Sequence, residues 1–336
     1  MEYRMKLTRL IPTLAFAAGV LATGGLRAAT PHNDARIASP WPAQNTIITM
    51  LGYGDNIVGT SMVAKQIPLF RQSLPHIADV PVVSMSSSHE INPEQIIALG
   101  TQLLFVAKNM SVPQPQMLAQ AGVRVLAFDA NSMQALTTRV QQTADALGPD
   151  AQEKAQRYQR YFDRNAALVR ERLKDLPAGQ RVTVYHSMGN PLTTTGRPSL
   201  NQDWMDLAGA NNVAENWFGV KKNSAGEVAL ERVVAANPAV IVAMNKRDAQ
   251  AILASPQWAG VDAVIHHRVY TNPKGMFWWC RETSEEALQF LWLAKTLYPE
   301  RFADVDMTKE TRDFYRDFFN LRLSDAQVAA ILNPPR

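Results

Sequence analysis

The sequence predicts an α/β protein of two similar lobes, each with a mainly parallel sheet, joined by one long helix. Three observations carry this reading. Pro149 to Leu176 is a long amphipathic run whose apolar residues Ala151, Ala155, Tyr158, Phe162, Val169 and Leu173 share one helical face. Short apolar strands alternate with helices on both sides of it, the pattern of parallel sheets covered on both faces. Two segments, NPEQIIALGTQLLFVA (92–107) and ALERVVAANPAVIVA (229–243), repeat an acidic helix start, an apolar helix and an apolar strand. Taken alone, the long run fits either a surface helix of one domain or a strut between two lobes. At 1.5 Å per residue it reaches ~40 Å. The repeat on either side favours the strut.

The chain of 336 residues, 46% apolar and 19% charged, has room for two domains. Its first residues read as a leader. Arg4, Lys6 and Arg9 precede an apolar run from Leu10 to Leu21, then small residues up to Ala28 and Ala29. That run is too short to span a bilayer, which needs about 20 residues. The expected outcome is export with cleavage near Ala28 or Ala29, with Met5 as an alternative start and an uncleaved anchor as the competing reading. Four basic residues of this leader against Glu2 account for most of the net charge of +4. The mature chain is therefore near neutrality, and a nucleic-acid surface is not expected. Cys280 is the only cysteine, so no internal disulfide forms and no cysteine near the leader offers a lipid anchor.

In chain order, Asn45–Leu51 is expected to open the first lobe as a helix, followed by a strand at Ile57–Thr60 and a longer loop through Lys65, Phe70 and His76. Asn92-Pro93-Glu94 starts a helix that feeds a strand at Leu103–Ala107. Gln116–Ala121, Val123–Ala127 and Asn131–Leu147 follow as helix, strand and helix. After the long run, Gln180–Tyr185 and Ala239–Ala243 are strands, and Val269-Tyr270 begins another. Thr193–Arg197 is a polar loop. Helices are expected at Asn201–Leu207, Val228–Ala236, Ala249–Leu253, Ser284–Leu297, Thr308–Phe319 and Ser324–Leu332. The division is thus leader 1–29, first lobe 30–148, linker 149–176 and second lobe 177–336.

Ligands of such sheets sit beyond the carboxyl ends of the strands. Candidates there in the first half are Trp41, Ser61, Met62, Ser86, Ser87, His89, Lys108, Asn109 and Asp129; in the second they are Tyr185, His186, Arg197, Lys246, Trp278, Trp279 and Arg281. Arginine's planar fork suits carboxylates, catecholates and oxyanions, while aromatic rings cover apolar ligand faces.

Four segments in order resemble the substrate-binding proteins of ABC importers whose lobes are joined by a single helix, the TroA-like group. They are MLGYGDNIVGTS (50–61), the repeated pair above, PLTTTGRPSLNQDWMDLAGANNVAEN (191–216) and VYTNPKGMFWWCRETSEEALQFLWLAKTLYPERF (269–302), and the resemblance covers roughly residues 39–300. It implies a periplasmic, monomeric protein without a cofactor that binds a small molecule in an inter-lobe cleft and passes it to a membrane permease. It also implies limited opening of the cleft, and docking through one acidic residue on each lobe, here Glu94 and Glu231. The group serves ferric siderophores, haem, cobalamin, metal ions and, in one branch, molybdate and tungstate. Chelated iron is the first expectation and the oxyanion branch the alternative. The loops 216–224 and 271–282 lack the histidine and tyrosine with which some siderophore binders complete the iron shell, so any metal ligand is unknown.

An exported hydrolase is the competing class. Ser187 beside His186, with Asp203 downstream, supplies triad residue types, but no G-x-S-x-G elbow surrounds Ser187. Neither G-x-G-x-x-G, a P-loop nor H-E-x-x-H is present. The expectation is a protein that is not an enzyme.

Overall fold

A computed structural model describes residues 34–84, 91–219 and 224–334. The leader and the candidates Ser86, Ser87 and His89 lie outside the described residues.

The first sheet has five parallel strands in the order β3-β2-β1-β4-β5: β1 Ile37–Ala38, β2 Ile57–Ser61, β3 Val82–Ser84, β4 Leu103–Ala107 and β5 Arg124–Phe128. The second has four, also parallel. They are β6 Thr183–Ser187, β8 Asn211–Asn212, β10 Val240–Ala243 and β11 Val269–Thr271, in the order β11-β10-β6-β8. A separate antiparallel pair joins β7 Thr193–Thr195 to β9 Ala225–Glu227. In both large sheets the first strand of the lobe is internal, and the chain builds outward on one side before crossing to the other. The order therefore reverses between β1 and β4, and again between β6 and β10. A crevice opens at such a switch point, outside the strands' carboxyl ends. The repeat has a topological meaning, since β4 pairs with β1 as β10 pairs with β6.

Helices of the first lobe are α1 Pro42–Met50, α2 Met62–Gln66, α3 Pro68–Ser73, α4 Pro93–Ala98, α5 Pro115–Gln120 and α6 Met133–Leu147. Proline in the first turn opens α1, α3, α4 and α5, where its missing N–H costs nothing. Ser61, Asn92 and Ser132 cap α2, α4 and α6 by accepting from backbone amides three residues on. The segment expected as a loop through Lys65 and Phe70 is α2 and α3, broken at Ile67-Pro68.

The linker helix α7 is Pro149–Leu173. It ends three residues before the expected Leu176, because Leu176 N–H turns back onto the Leu173 carbonyl and Pro177 follows. Gly148, at φ +114°, makes the corner between α6 and α7. Ala151 and Ala155 keep the buried face thin near that corner; farther along, Tyr158 and Phe162 fill it.

The remaining helices are α8 Leu200–Leu207, α9 Leu230–Ala236, α10 Lys246–Ala254, α11 Asp262–Ile265, α12 Glu286–Leu297, α13 Met307–Phe319 and α14 Asp325–Leu332. α12 is buried along almost its whole length. It packs on α7 through Phe162 and Phe290, whose ring centroids are 5.3 Å apart. Tyr158 meets Phe318 of α13 edge-on at 5.9 Å. One continuous apolar core runs from Ile37 through α7 to Ile331 and includes residues of both lobes. The linker is thus embedded on one side rather than spanning open solvent.

Candidate functional site

Ser39–Trp41 follow β1, His186 and Ser187 end β6, and Met244 follows β10, so these residues lie at the carboxyl ends beside the two switch points. The chain supplies most of the missing contacts from one segment, Arg281–Glu286, which leads into α12.

Arg139 reaches this region from α6. Its guanidinium lies 3.9 Å from the Trp41 ring centroid and donates to the Glu282 carbonyl. The residue is 1% exposed, yet its Nε and Nη1 have no protein partner. Burial pulls its pKa down to about 10, against the pull of Glu282 and Glu286. Arg281 precedes Glu282 in the same segment. Its Nε lies 3.6 Å from Glu282 Oε2, Nη1 lies 4.0 Å from Met244 Sδ, and Glu282 holds its pKa up. Glu282 adopts φ +38°, a rare conformation for a residue with a Cβ.

His186 and Ser187 are wholly buried. Neither imidazole nitrogen nor the Ser187 hydroxyl has a protein partner. Burial, then the nearby Arg281 charge, pushes His186 down to about 3, so the ring is neutral and offers one donor and one acceptor. Its ring stands edge-on to Trp204 at 5.1 Å. The Glu286 carboxyl is also buried and unpartnered. Burial, followed by the Glu282 charge, raises its pKa well above the ordinary value, with Arg139 opposing.

The rest of this segment is tied down. Ser284 N and Oγ approach Thr46 Oγ1 of α1 at 3.3 and 3.2 Å, and Thr283 Oγ1 lies 3.0 Å from the same atom. Tyr158 of α7 donates to the Ser284 carbonyl at 2.8 Å, and Asn165 donates to that of Ala287 at 2.8 Å. Both lobes and the linker therefore grip residues 282–287.

The other sequence candidates are distributed differently. Arg197 is exposed and fully engaged, with Nη2 2.6 Å from Asp206 and Nε 2.8 Å from Glu215. Tyr185 donates to the Pro191 carbonyl and packs between Trp217 and Trp258 in a separate apolar cluster. Trp279 is a core residue whose Nε1 faces Tyr315 Oη. Trp278 is half-buried beneath the Lys274 ammonium, 4.1 Å from its ring centroid. Ser61 Oγ serves as the cap of α2. Lys108 pairs with Asp129 at 2.5 Å on the surface, and Lys246 opens α10. Glu94 and Glu231 are both exposed in the first turns of α4 and α9, at matching places in the repeat.

The triad residue types do not assemble. Asp203 Oδ2 accepts from the Met133 amide at 3.0 Å, and no hydrogen bond joins it to His186 or His186 to Ser187. Cys280 is buried and its thiol is pushed up to about 12 by that burial. Sequence reasoning missed Arg139, Glu286, Thr46 and Thr283. Only the acidic and hydroxylic run RETSEE (281–286) carried a signal. Among the described residues no group of three or more His, Cys, Asp or Glu is disposed to hold a metal ion.

Known proteins share this layout. The molybdate-binding protein MolA of Haemophilus influenzae is 37% identical over 159 residues, a match spanning 46% of this chain and 44% of MolA. The structure of MolA bound to molybdate superposes with a TM-score of 0.75, covering 86% of this chain and 94% of that one at 23% identity. YvrC of Bacillus subtilis, an ABC-transporter substrate-binding lipoprotein, is 24% identical over 80% of this chain and 82% of its own length. CeuE of Helicobacter pylori with Ni(II) bound gives a TM-score of 0.69 at 20% identity, covering 89% of this chain and 93% of that one. The family model for periplasmic binding proteins matches residues 37–275, a span that holds the first sheet, the linker helix and the strands of the second sheet, and the chain belongs to the periplasmic binding protein family.

Proposed function

We propose that this protein captures a small tetrahedral oxyanion of the molybdate or tungstate class between its lobes and delivers it to the permease of an ABC importer. The observation that carries the reading is the buried donor set at the switch points. Arg139, His186 and Ser187 present buried polar atoms without a hydrogen-bond partner, Arg281 Nε is held only by a long 3.6 Å pairing with Glu282, and charge-assisted bonds from such groups are the strong ones. With His186 neutral and burial favouring the neutral form of Glu286, the charge of the two arginines outweighs that of Glu282. The similarity to MolA agrees with this choice, so the oxyanion branch is preferred to the chelated iron that the sequence put first.

The test is thermal shift and calorimetry on the mature protein with molybdate, tungstate, a ferric siderophore, haem and cobalamin. The expected result is stabilisation by the two oxyanions alone, since a ligand that binds only the native state raises its stability. Arg281→Ala should weaken tungstate binding by roughly 10–100-fold, the equivalent of one lost hydrogen bond to a charged group at ~1.5–3 kcal/mol. Stabilisation by the ferric siderophore and not by tungstate would overturn the reading.

Export with cleavage near Ala28 or Ala29 places the monomeric mature chain in the periplasm. Glu94 and Glu231 are the proposed contacts with the permease. A carboxylate in a first helical turn is also favoured by the helix dipole, by about 0.3–1 kcal/mol, so the test must separate transport from stability. Charge reversal at both positions should abolish uptake and leave solution affinity unchanged. Full transport by that variant would rule the docking out.

A further inference from the structure

Ionisable groups from three helices and a loop bear on one carboxyl behind the donor set. Glu286 stands in the first turn of α12. Facing it are Arg139 from α6, Tyr158 from α7, Asp203 from α8 and Glu282 from the preceding loop. Glu285, its chain neighbour, faces away. That side chain is taken up by the Met276 and Phe277 amides, Thr283 and Tyr315 of α13. A buried arginine and a buried glutamate close enough to feel each other ordinarily satisfy one another, because leaving either alone is costly. Here they do not. Arg139 keeps Nε and Nη1 free, and both Glu286 oxygens are free.

We infer that Glu286 is the specificity-determining carboxyl of the site and an internal competitor for its cation. As a neutral acid it leaves Arg139 open to an oxyanion and donates its own proton to that ion. As a carboxylate it claims Arg139 and repels the anion. The inference rests on the oxyanion reading above, and it follows from charge and geometry together. A ligand such as molybdate or tungstate is doubly negative and only accepts hydrogen bonds, so every group around it must donate. Ionised Glu286 would add an acceptor and cancel the site's net positive charge. Burial and the neighbouring Glu282 and Asp203 keep the proton on, and Arg139 pulls the other way. Loss of that proton is therefore moved to higher pH than for an ordinary carboxyl.

The experiment measures tungstate affinity by calorimetry from pH 6 to pH 9 in the wild type, Glu286→Gln and Glu286→Met. Glutamine keeps the shape and a donor but cannot ionise; methionine fills the space with neither, which covers the case of a poorly folding glutamine variant. Wild-type affinity should fall at least about 10-fold across this range, as expected when one hydrogen bond to a charged group is lost. Glu286→Gln should stay within about 2-fold of its own pH 6 value, and Glu286→Met should be weaker but equally flat. Wild-type binding that is itself flat, or a glutamine variant that declines in step with wild type, overturns this inference alone. No tungstate binding by wild type at any pH overturns the oxyanion reading and this inference with it.

Discussion

Replacing Glu285 probes the element that holds the site segment in place. Its carboxyl is fully buried. It accepts from the Met276 amide at 2.6 Å, the Phe277 amide at 2.9 Å, Thr283 Oγ1 at 2.8 Å and the Tyr315 hydroxyl. Glu285→Ala strands all four donors. The hydroxyls can rotate, and Thr283 has Thr46 within reach, but the two amides cannot turn away. At about 1–3 kcal/mol for each stranded buried group, the amides alone cost about 2–6 kcal/mol. Glu285→Gln keeps one acceptor oxygen and resembles the protonated acid, so it should cost less than the alanine change at acidic pH. The pH dependence adds a second signature. Burial outweighs the four hydrogen bonds and lifts the carboxyl from 4.5 to about 7. Because the folded value is the higher one, this contribution is fully present below pH 4.5 and is lost as pH rises through 7. By linkage the wild type loses about 3 kcal/mol from this group over that window, and the glutamine variant has no such slope. Urea unfolding at several pH values from 4.5 to 8 reads both effects. The reasoning fails if Glu285→Ala costs under 1 kcal/mol, or if the glutamine variant tracks the wild type across the pH range.

Three further substitutions test the placement of neighbouring groups. A Cβ at Gly275 would lie 1.6 Å from Tyr315 Oη and 2.4 Å from Glu285 Oε1, so Gly275→Ala should cost about 1–3 kcal/mol through overpacking. A melting temperature equal to wild type would contradict that. Thr46→Val removes the hydroxyl shared by Thr283 and Ser284 and should cost about 1–3 kcal/mol in urea unfolding, with no loss meaning that water replaces it. Arg197→Ala breaks two exposed ion pairs; it should change stability by less than about 1 kcal/mol and leave tungstate affinity unaltered. Weakened binding by that variant would return Arg197 to the site.

The lobes were legible because their repeat is written in long apolar strands. Leu103–Ala107 and Val240–Ala243 are buried throughout, so each reads as a continuous apolar run, and each sits beside the first strand of its lobe. The central strand of the first sheet was not legible. β1 is only Ile37–Ala38, too short for any periodicity to register. The same limit hid α2 and α3, at 5 and 6 residues. The β7–β9 pair escaped for another reason: Thr193–Thr195 has no apolar alternation and draws its ladder from a partner some 30 residues on.

The site was harder to read than the fold because its chemistry depends on burial, which no local pattern encodes. Arg139 looks like one more polar residue of α6, and Glu286 like an ordinary acidic helix start. Each becomes unusual only where α6, α8 and α12 meet and water is excluded. Arg197 shows the converse. Placed after a strand in a polar loop, it has the sequence profile of an anion contact, yet Asp206 and Glu215 occupy its guanidinium on the surface. A cation's availability to a ligand is therefore set by what the fold leaves unpaired beside it. Arg139, buried against the RETSEE segment, keeps two guanidinium nitrogens without a partner. That segment in turn is gripped by α1, α6 and α7 at once, so ligand capture and the docking of the two lobes draw on the same few residues.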